Sequence, residues 1–271
     1  MEWCLLNEEV ARISIAAALP MEFAAPAAVR LGPVEQHAHL FPLAVDKASA
    51  FACAEPDAGS DLLAIRTRVE DKGPHYVLNG HKCLISNGGL AEVFVVVATV
   101  EPGSGHRGIR LLLVDSTTPG IRRSAEKQKM GLRGASLVDL HFDNVEVSAT
   151  HVLGGENAFD IIPRLLDLAR LTIASLAIGN ATAAMQRALR HSLDREQFGQ
   201  PIYANQGISF MIANMAIVIE AARELTFRAA KSLDDDESQA SVLASMAKVL
   251  ATDVGVSVTA DAVQCLGGTG Y

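Results

Sequence analysis

The sequence predicts an α+β multidomain chain: a helical stretch over residues 1–49, an antiparallel β domain over 50–155 and a helical bundle over 156–271. Three features predict it. The opening is Ala-rich and broken by prolines, the middle alternates apolar and polar residues between glycine turns, and the rest has a helical period. With 271 residues, 49% hydrophobic and 20% charged, the chain has ample sequence to bury a core.

In the opening stretch Pro20, Pro26 and Gly32-Pro33 separate short helices, because proline lacks a backbone donor and clashes with the preceding turn. Glu35-Gln36-His37 reads as the start of another. A short strand is expected over Phe51–Ala54, and Arg66–Glu70 and His75–Leu78 alternate as strands do. Turns are expected at Asp71-Lys72-Gly73-Pro74 and at Asn79-Gly80, the strongest short hairpin signal. Val93–Val97 and Ile109–Val114 read as buried strands, and Leu140–Val147 alternates again. Many short strands joined by glycine-rich turns suggest an antiparallel barrel or sandwich. Helices are expected near 157–194, 204–233 and 238–265, the last with Val242, Met246, Leu250, Val254 and Val258 on one stripe. Asp234–Ser238 reads as a solvated turn whose acids suit the positive end of the next helix.

Lys and Arg number 23 against 31 Asp and Glu, for a net charge of −8. That balance, with no basic cluster among aromatics, argues against nucleic acid as a partner. Cys4, Cys53, Cys83 and Cys265 are far apart and form no C-x-x-C pair, which favours a reducing compartment over disulfides or zinc. Glu2, Glu8 and Glu9 stand where a signal peptide would be basic, and the apolar run Ile15–Leu19 is too short to cross a bilayer. The expectation is a cytoplasmic protein without membrane insertion.

No nucleophile elbow, Walker A loop or H-E-x-x-H pair is present. His37 and His39 read as surface residues, and no metal site is expected. Gly103-Ser104-Gly105 and Gly267–Gly270 lack the strand-before, helix-after setting of a dinucleotide loop. The segment Cys53–Asp61 is different. There a strand runs into a turn whose Gly59 and Ser60 expose amides and a hydroxyl, a concave donor set for a phosphate or pyrophosphate.

That turn is the first of several ordered motifs. Glu55-Pro56-Asp57-Ala58-Gly59-Ser60-Asp61 is followed by Leu78-Asn79-Gly80-His81-Lys82-Cys83-Leu84-Ile85-Ser86-Asn87-Gly88-Gly89. Lys129-Met130-Gly131-Leu132-Arg133-Gly134 and Leu140–Val147 come next. Arg195-Glu196-Gln197-Phe198-Gly199-Gln200-Pro201-Ile202, with Gln206 beyond it, and Gln264-Cys265-Leu266-Gly267-Gly268-Thr269-Gly270-Tyr271 complete the series. In this order the motifs resemble those of the acyl-CoA dehydrogenase family of FAD flavoproteins over most of the chain.

The resemblance implies the end of an N-terminal helical domain, a central antiparallel β-barrel domain and an incomplete C-terminal helical bundle. It implies FAD between the β domain and the helices. Phe51, Cys53 and Ala54 would line the isoalloxazine ring, with Leu84, Ile85 and Ser86 at its edge. Gly59 and Ser60 would hold the pyrophosphate, with Ser60 also near substrate. Arg195, Gln197, Phe198, Gln206, Gln264, Gly267 and Gly268 would reach the FAD of a neighbouring subunit, implying a homodimer or homotetramer. Asp167 and Arg170 would face the substrate. The implied reaction takes an acyl-CoA thioester to trans-2-enoyl-CoA: a carboxylate removes the α-proton, the β-hydride passes to the flavin, and electrons leave through an electron-transfer flavoprotein.

Several positions depart from the family pattern. The usual base follows the glycine-rich motif and is expected beyond Tyr271, and the alternative position, one residue before Arg170, holds Ala169. No residue of this chain is therefore named as catalytic base. The expectation is an internal piece of a dehydrogenase, inactive alone and poorly soluble. A base-less subunit of a heteromeric dehydrogenase and a flavin-dependent monooxygenase or oxidase are the alternative readings. Ala54 lacks the usual threonine hydroxyl, Leu84 replaces an aromatic, and Ala135 replaces a serine near CoA.

Overall fold

The computed structural model describes residues 1–19, 24–32 and 37–271. Pro20, Pro33, Glu35 and Gln36, with the breaks and helix start expected there, lie outside the described residues. The chain divides into two compact units, Leu19–Leu165 and Met1–Ala18 with Leu166–Tyr271. The opening stretch thus divides: helices α1 (Glu2–Ile13) and α2 (Ile15–Ala18) belong to the second unit, α3 (Ala24–Leu31) and α4 (Phe41–Val45) to the first. Pro26 does not end a helix; it sits in the first turn of α3, where a missing N–H leaves no bond unmade. His37 is 3% exposed rather than at the surface, because Gly32 leaves room for its ring: a Cβ there would meet His37 Nδ1 at 2.5 Å.

The first unit is built on eight strands, β1 (Ser49–Ala52), β2 (Arg68–Asp71), β3 (His75–Ser86), β4 (Val93–Thr99), β5 (Ile109–Asp115), β6 (Ile121–Arg123), β7 (Leu137–Ser148) and β8 (Val152–Leu153). They lie in the order β6-β7-β3-β2-β4-β5-β8, with β1 beside β4. The expected antiparallel barrel is not formed. β1 and one residue pair of β2 run parallel to β4, so the sheet is mixed. The end strands β6 and β8 have three and two residues, do not pair with each other and leave the sheet open. β4 is buried along its whole length, as its unbroken apolar run requires. Leu78, Phe94, Val96, Leu112, Leu140 and Val145 are among the residues of the sheet core.

Asn79-Gly80 is not a turn. β3 runs straight through it, and the bulge beside it belongs to β7, where Asp143 and Asn144 stand opposite Asn79 alone and Asn144 has φ +48. Glycine is needed there because a Cβ would stand 2.7 Å from the Thr67 Cα. The turn between β2 and β3 falls at the other predicted site, where Gly73 has φ +87 and the Lys72 N–H bonds the His75 carbonyl.

The second unit holds most of α5 (Ala158–Asp194), the hairpin β9 (Glu196–Gln197) and β10 (Gln200–Pro201), α6 (Gln206–Asp234) and α7 (Ala240–Leu266). All three long helices match their expected spans closely. Ala174, Ile178 and Ala181 of α5, Met215 and Ile219 of α6, and Val254 and Val258 of α7 share one core. The stripe expected on α7 is only half buried, since Val242 and Met246 are 55% and 54% exposed. A strict i, i+4 row turns about 40° per step and cannot hold one face over four steps. The buried row instead runs through Ala244, Ala247, Ala251 and Val254. Ala240–Thr269 is the one described helical segment long and apolar enough to cross a membrane by length and composition. Its core row explains much of that apolarity.

Candidate functional site

In the first unit the predicted donor turn forms as expected. Glu55 and Ala58 exchange backbone hydrogen bonds (2.9 and 3.2 Å), which leaves Pro56, Asp57, Gly59 and Ser60 exposed. Among the described residues, no atom beyond its chain neighbours lies within 4 Å of where a Gly59 Cβ would stand, so the approach to its backbone is open. Phe51 lies in β1, and Cys53 and Ala54 continue the chain from it; all three are half-buried. The Cys83 N–H donates to the Ala54 carbonyl (2.9 Å), placing this strand end against β3.

Farther along β3, Leu84 and Asn87 bracket Ile85-Ser86 and both have positive φ, +54° and +60°. Non-glycine residues rarely adopt this conformation, and such strain clusters at functional sites. Leu84 is held by its N–H, which donates to Asp139 Oδ1 (3.0 Å). The Asp139 carboxyl lies below its usual range: burial opposes this, but a 2.6 Å bond from Lys127 and the Leu84 N–H outweigh it. Leu84 and Ser86 are exposed, whereas Ile85 is 2% exposed in the sheet core, so only its main chain is free for a ligand. Ser86 and Asn87 line a cavity of about 150 Å³ with Leu19, Lys129, Leu132 and Ser136. Asn87 Oδ1 is buried there without a hydrogen-bond partner among the described residues.

Glu55 and Lys82 lie within two of the ordered motifs, and no local pattern gives either a role. Lys82, fully buried, donates to Glu55 Oε1 (2.7 Å) and to the Cys53 carbonyl (2.9 Å). Burial would raise the Glu55 carboxyl, but the Lys82 ammonium and the bonds it accepts hold it below its usual range. Burial pushes the Lys82 ammonium down, against the pull of Glu55. One signal was present: the alternation of β3 places Lys82 on the same inward side as Leu78, where a charge needs a buried partner.

Two clusters stand at opposite ends of the helical unit. At one, Asp167 (4% exposed) accepts from Arg170 Nη1 (2.5 Å) and from the Ser241 hydroxyl (3.0 Å). Ala169 beside them is exposed. About 40 Å along α5, at 1.5 Å per residue, its other end leads into the β9–β10 hairpin. There Arg195, Gln197, Phe198 and Gln206 are all exposed. The antiparallel α6 and α7 bring Gln264, Gly267 and Gly268 to the same end, where Cys265 Sγ meets Met211 Sδ (3.3 Å). Phe198 is 97% exposed at φ +58, followed by Gly199 at φ +77. An aromatic side chain held in a strained turn and left almost fully exposed among the described residues is suited to contact a ligand or a second chain.

The expected FAD fits the first-unit residues. A pyrophosphate needs donors at an open backbone, which the Gly59-Ser60 turn presents. A flavin edge needs polar groups beside a flat wall, which Ser86 and the strand end Phe51–Ala54 present. Ala54 contributes only main-chain groups.

Residues 50–145 match the family model for the acyl-CoA dehydrogenase middle domain, and residues 159–271 match that for the C-terminal domain. The chain is 45% identical to the cyclohex-1-ene-1-carbonyl-CoA dehydrogenase of Geobacter metallireducens over 82% of its own length and 59% of that protein. It is 35% identical to the probable acyl-CoA dehydrogenase FadE25 of Mycobacterium tuberculosis over 99% of its own length and 70% of that protein. The structure of butyryl-CoA dehydrogenase from Megasphaera elsdenii superposes with a TM-score of 0.93 at 34% identity, covering 99% of this chain and 72% of that one. The chain spans 54–60% of the length of several curated relatives that it matches.

Proposed function

The chain belongs to the acyl-CoA dehydrogenase family, and on that premise we propose that it serves FAD-dependent α,β-dehydrogenation of an acyl-CoA thioester to trans-2-enoyl-CoA. Bound FAD supplies the acceptor for the β-hydride, which no side chain can be. The Gly59-Ser60 turn holds its pyrophosphate, Phe51, Cys53 and Ala54 form a wall for the ring, and Leu84–Ser86 set the ring edge. An electron-transfer flavoprotein is the proposed onward acceptor.

The observation that carries the reading is the division of motif residues between two ends of one helical unit, about 40 Å apart. A cluster so far from Asp167 and Arg170 does not serve the same small ligand in one chain. As the family resemblance implies, we assign the exposed Arg195, Gln197, Phe198, Gln206, Gln264, Gly267 and Gly268 to the FAD of a second copy, in a homo-oligomer. At the other end Asp167 orients Arg170 toward the thioester. Its Oδ1 is already engaged by Arg170 and Ser241, and it stands about 200° around the helix from Ala169. It is an anchor, and residues 1–271 are assigned binding without an α-proton base.

Titrating the purified chain with FAD, then adding butyryl-CoA without oxygen, tests this. Saturable flavin binding with turnover at least about 100-fold below a complete relative is expected, in line with loss of a general base. Absence of FAD binding overturns the reading, and full turnover overturns the assignment of the base.

A further inference from the structure

We infer that Lys82 and Glu55 are a positioning pair, which fastens the two FAD-contact segments, 53–60 and 84–86, at a fixed spacing. The inference rests on the flavin site proposed above and assigns it two residues that touch neither flavin nor substrate.

The geometry makes one carboxylate a junction. Glu55 Oε1 accepts from Lys82 Nζ (2.7 Å) and the Thr67 N–H (3.0 Å), and Oε2 accepts from the Arg66 N–H (2.6 Å). Lys82 also donates to the Cys53 carbonyl (2.9 Å). Two residues thus bind the strand end at Cys53, the start of the donor turn, the loop at 66–67 and the middle of β3. Two residues beyond Lys82 the strand reaches Leu84, whose N–H is fixed by Asp139. The ring-wall segment and the ring-edge segment are tied to one strand by buried or half-buried carboxylates.

Stability alone is a poor reason for this arrangement. Lys82 and Glu55 have side chains 0% and 6% exposed. Taking both charges out of water cancels most of their attraction, and apolar pairs of similar volume serve cores equally well. An ion pair with directional bonds does what an apolar pair does not, which is to fix backbone atoms to within a hydrogen-bond length. A flavin site needs that of its wall and edge.

The test compares the full chain with Glu55→Gln and with the neutral double variant Lys82→Met/Glu55→Gln, which leaves no charge unpaired. Thermal midpoint, FAD dissociation constant and the fine structure of the bound flavin's visible absorption are measured for each. A double variant that unfolds near the wild-type temperature, binds FAD at least about ten-fold more weakly and shows a blurred flavin band supports the inference. If only Glu55→Gln folds, the same weakening in it supports the inference as well. FAD binding and spectra equal to wild type in a folded variant overturn it. Unfolding of both variants where the wild type is folded also overturns it, since the pair is then a stability element. A wild-type chain that takes no FAD instead removes the flavin site itself, and this inference with it.

Discussion

A methyl group stands at residue 169, one position before an arginine that Asp167 holds at 2.5 Å. Ala169 is exposed, so a longer side chain meets no packing there. Ala169→Glu is expected to place a proton acceptor beside Arg170 and to speed flavin reduction by butyryl-CoA about 100-fold in FAD-loaded protein. Anaerobic stopped-flow measurement of flavin bleaching checks this, and an unchanged rate counts against the assigned substrate end. A second residue gives a pH signature. Burial would raise the Asp115 carboxyl, but bonds from Lys47 (2.6 Å) and Thr117 bring it to about 2. Because the folded value lies below the unfolded value of about 3.9, the unfolded chain takes up the proton first as pH falls. The contribution is present above about pH 5, lost toward pH 2, and worth about 1 kcal/mol for a half-exposed pair. Thermal midpoints of wild type and Asp115→Asn are expected to converge as pH falls from 5 to 2; parallel curves would refute the linkage. Residues of this kind were unevenly legible. Ser60 and Ser86 stood in motifs whose chemistry is local, whereas the partners of Lys82 and Asp115 lie on other elements, which no local pattern brings together.

The β9–β10 hairpin shows a local preference overridden. Phe198-Gly199 occupies a turn with both φ values positive, which Asn-Gly satisfies with less strain. Phe198→Asn is expected to stabilise the FAD-free chain by up to about 1 kcal/mol and to weaken FAD binding. Thermal unfolding and flavin titration on one sample separate the two effects, and FAD affinity unchanged by the substitution would remove Phe198 from the site. Elsewhere the opposite lesson holds. The Asn79-Gly80 signal points to a hairpin that does not form, because the close approach of Thr67 that demands glycine there is tertiary. The long helices were legible because their period persists over many turns. The stripe on α7 failed because 3.6 residues per turn makes any strict four-residue row wander. Five of the nine buried positions of α7 are alanines, whose small size suits close helix packing but gives little hydrophobic contrast.

At the scale of the whole molecule, the order of β and helical regions was legible and the closure of the sheet was not. Closure depends on which edge strands meet, and the edges β6 and β8 are too short to leave a pattern. The first helices were assigned with the residues that follow them in sequence, yet α1 belongs with the long helices. Glu8 of α1 accepts from Arg223 of α6 at 2.9 Å, a pairing 215 residues apart. In the function proposed above, two copies of the chain build each FAD site, one giving the Gly59-Ser60 turn and the other the hairpin end. Subunit complementation tests it most directly. Gly59→Asp puts a carboxylate where the pyrophosphate is held, and Arg195→Glu disables the hairpin end; each variant alone is expected to bind no FAD. Dissociated, mixed and reassociated, they are expected to regain about one quarter of the wild-type FAD sites, because random pairing makes half the dimers mixed, each with one intact site. A mixture that binds no more FAD than its separate components would contradict the claim.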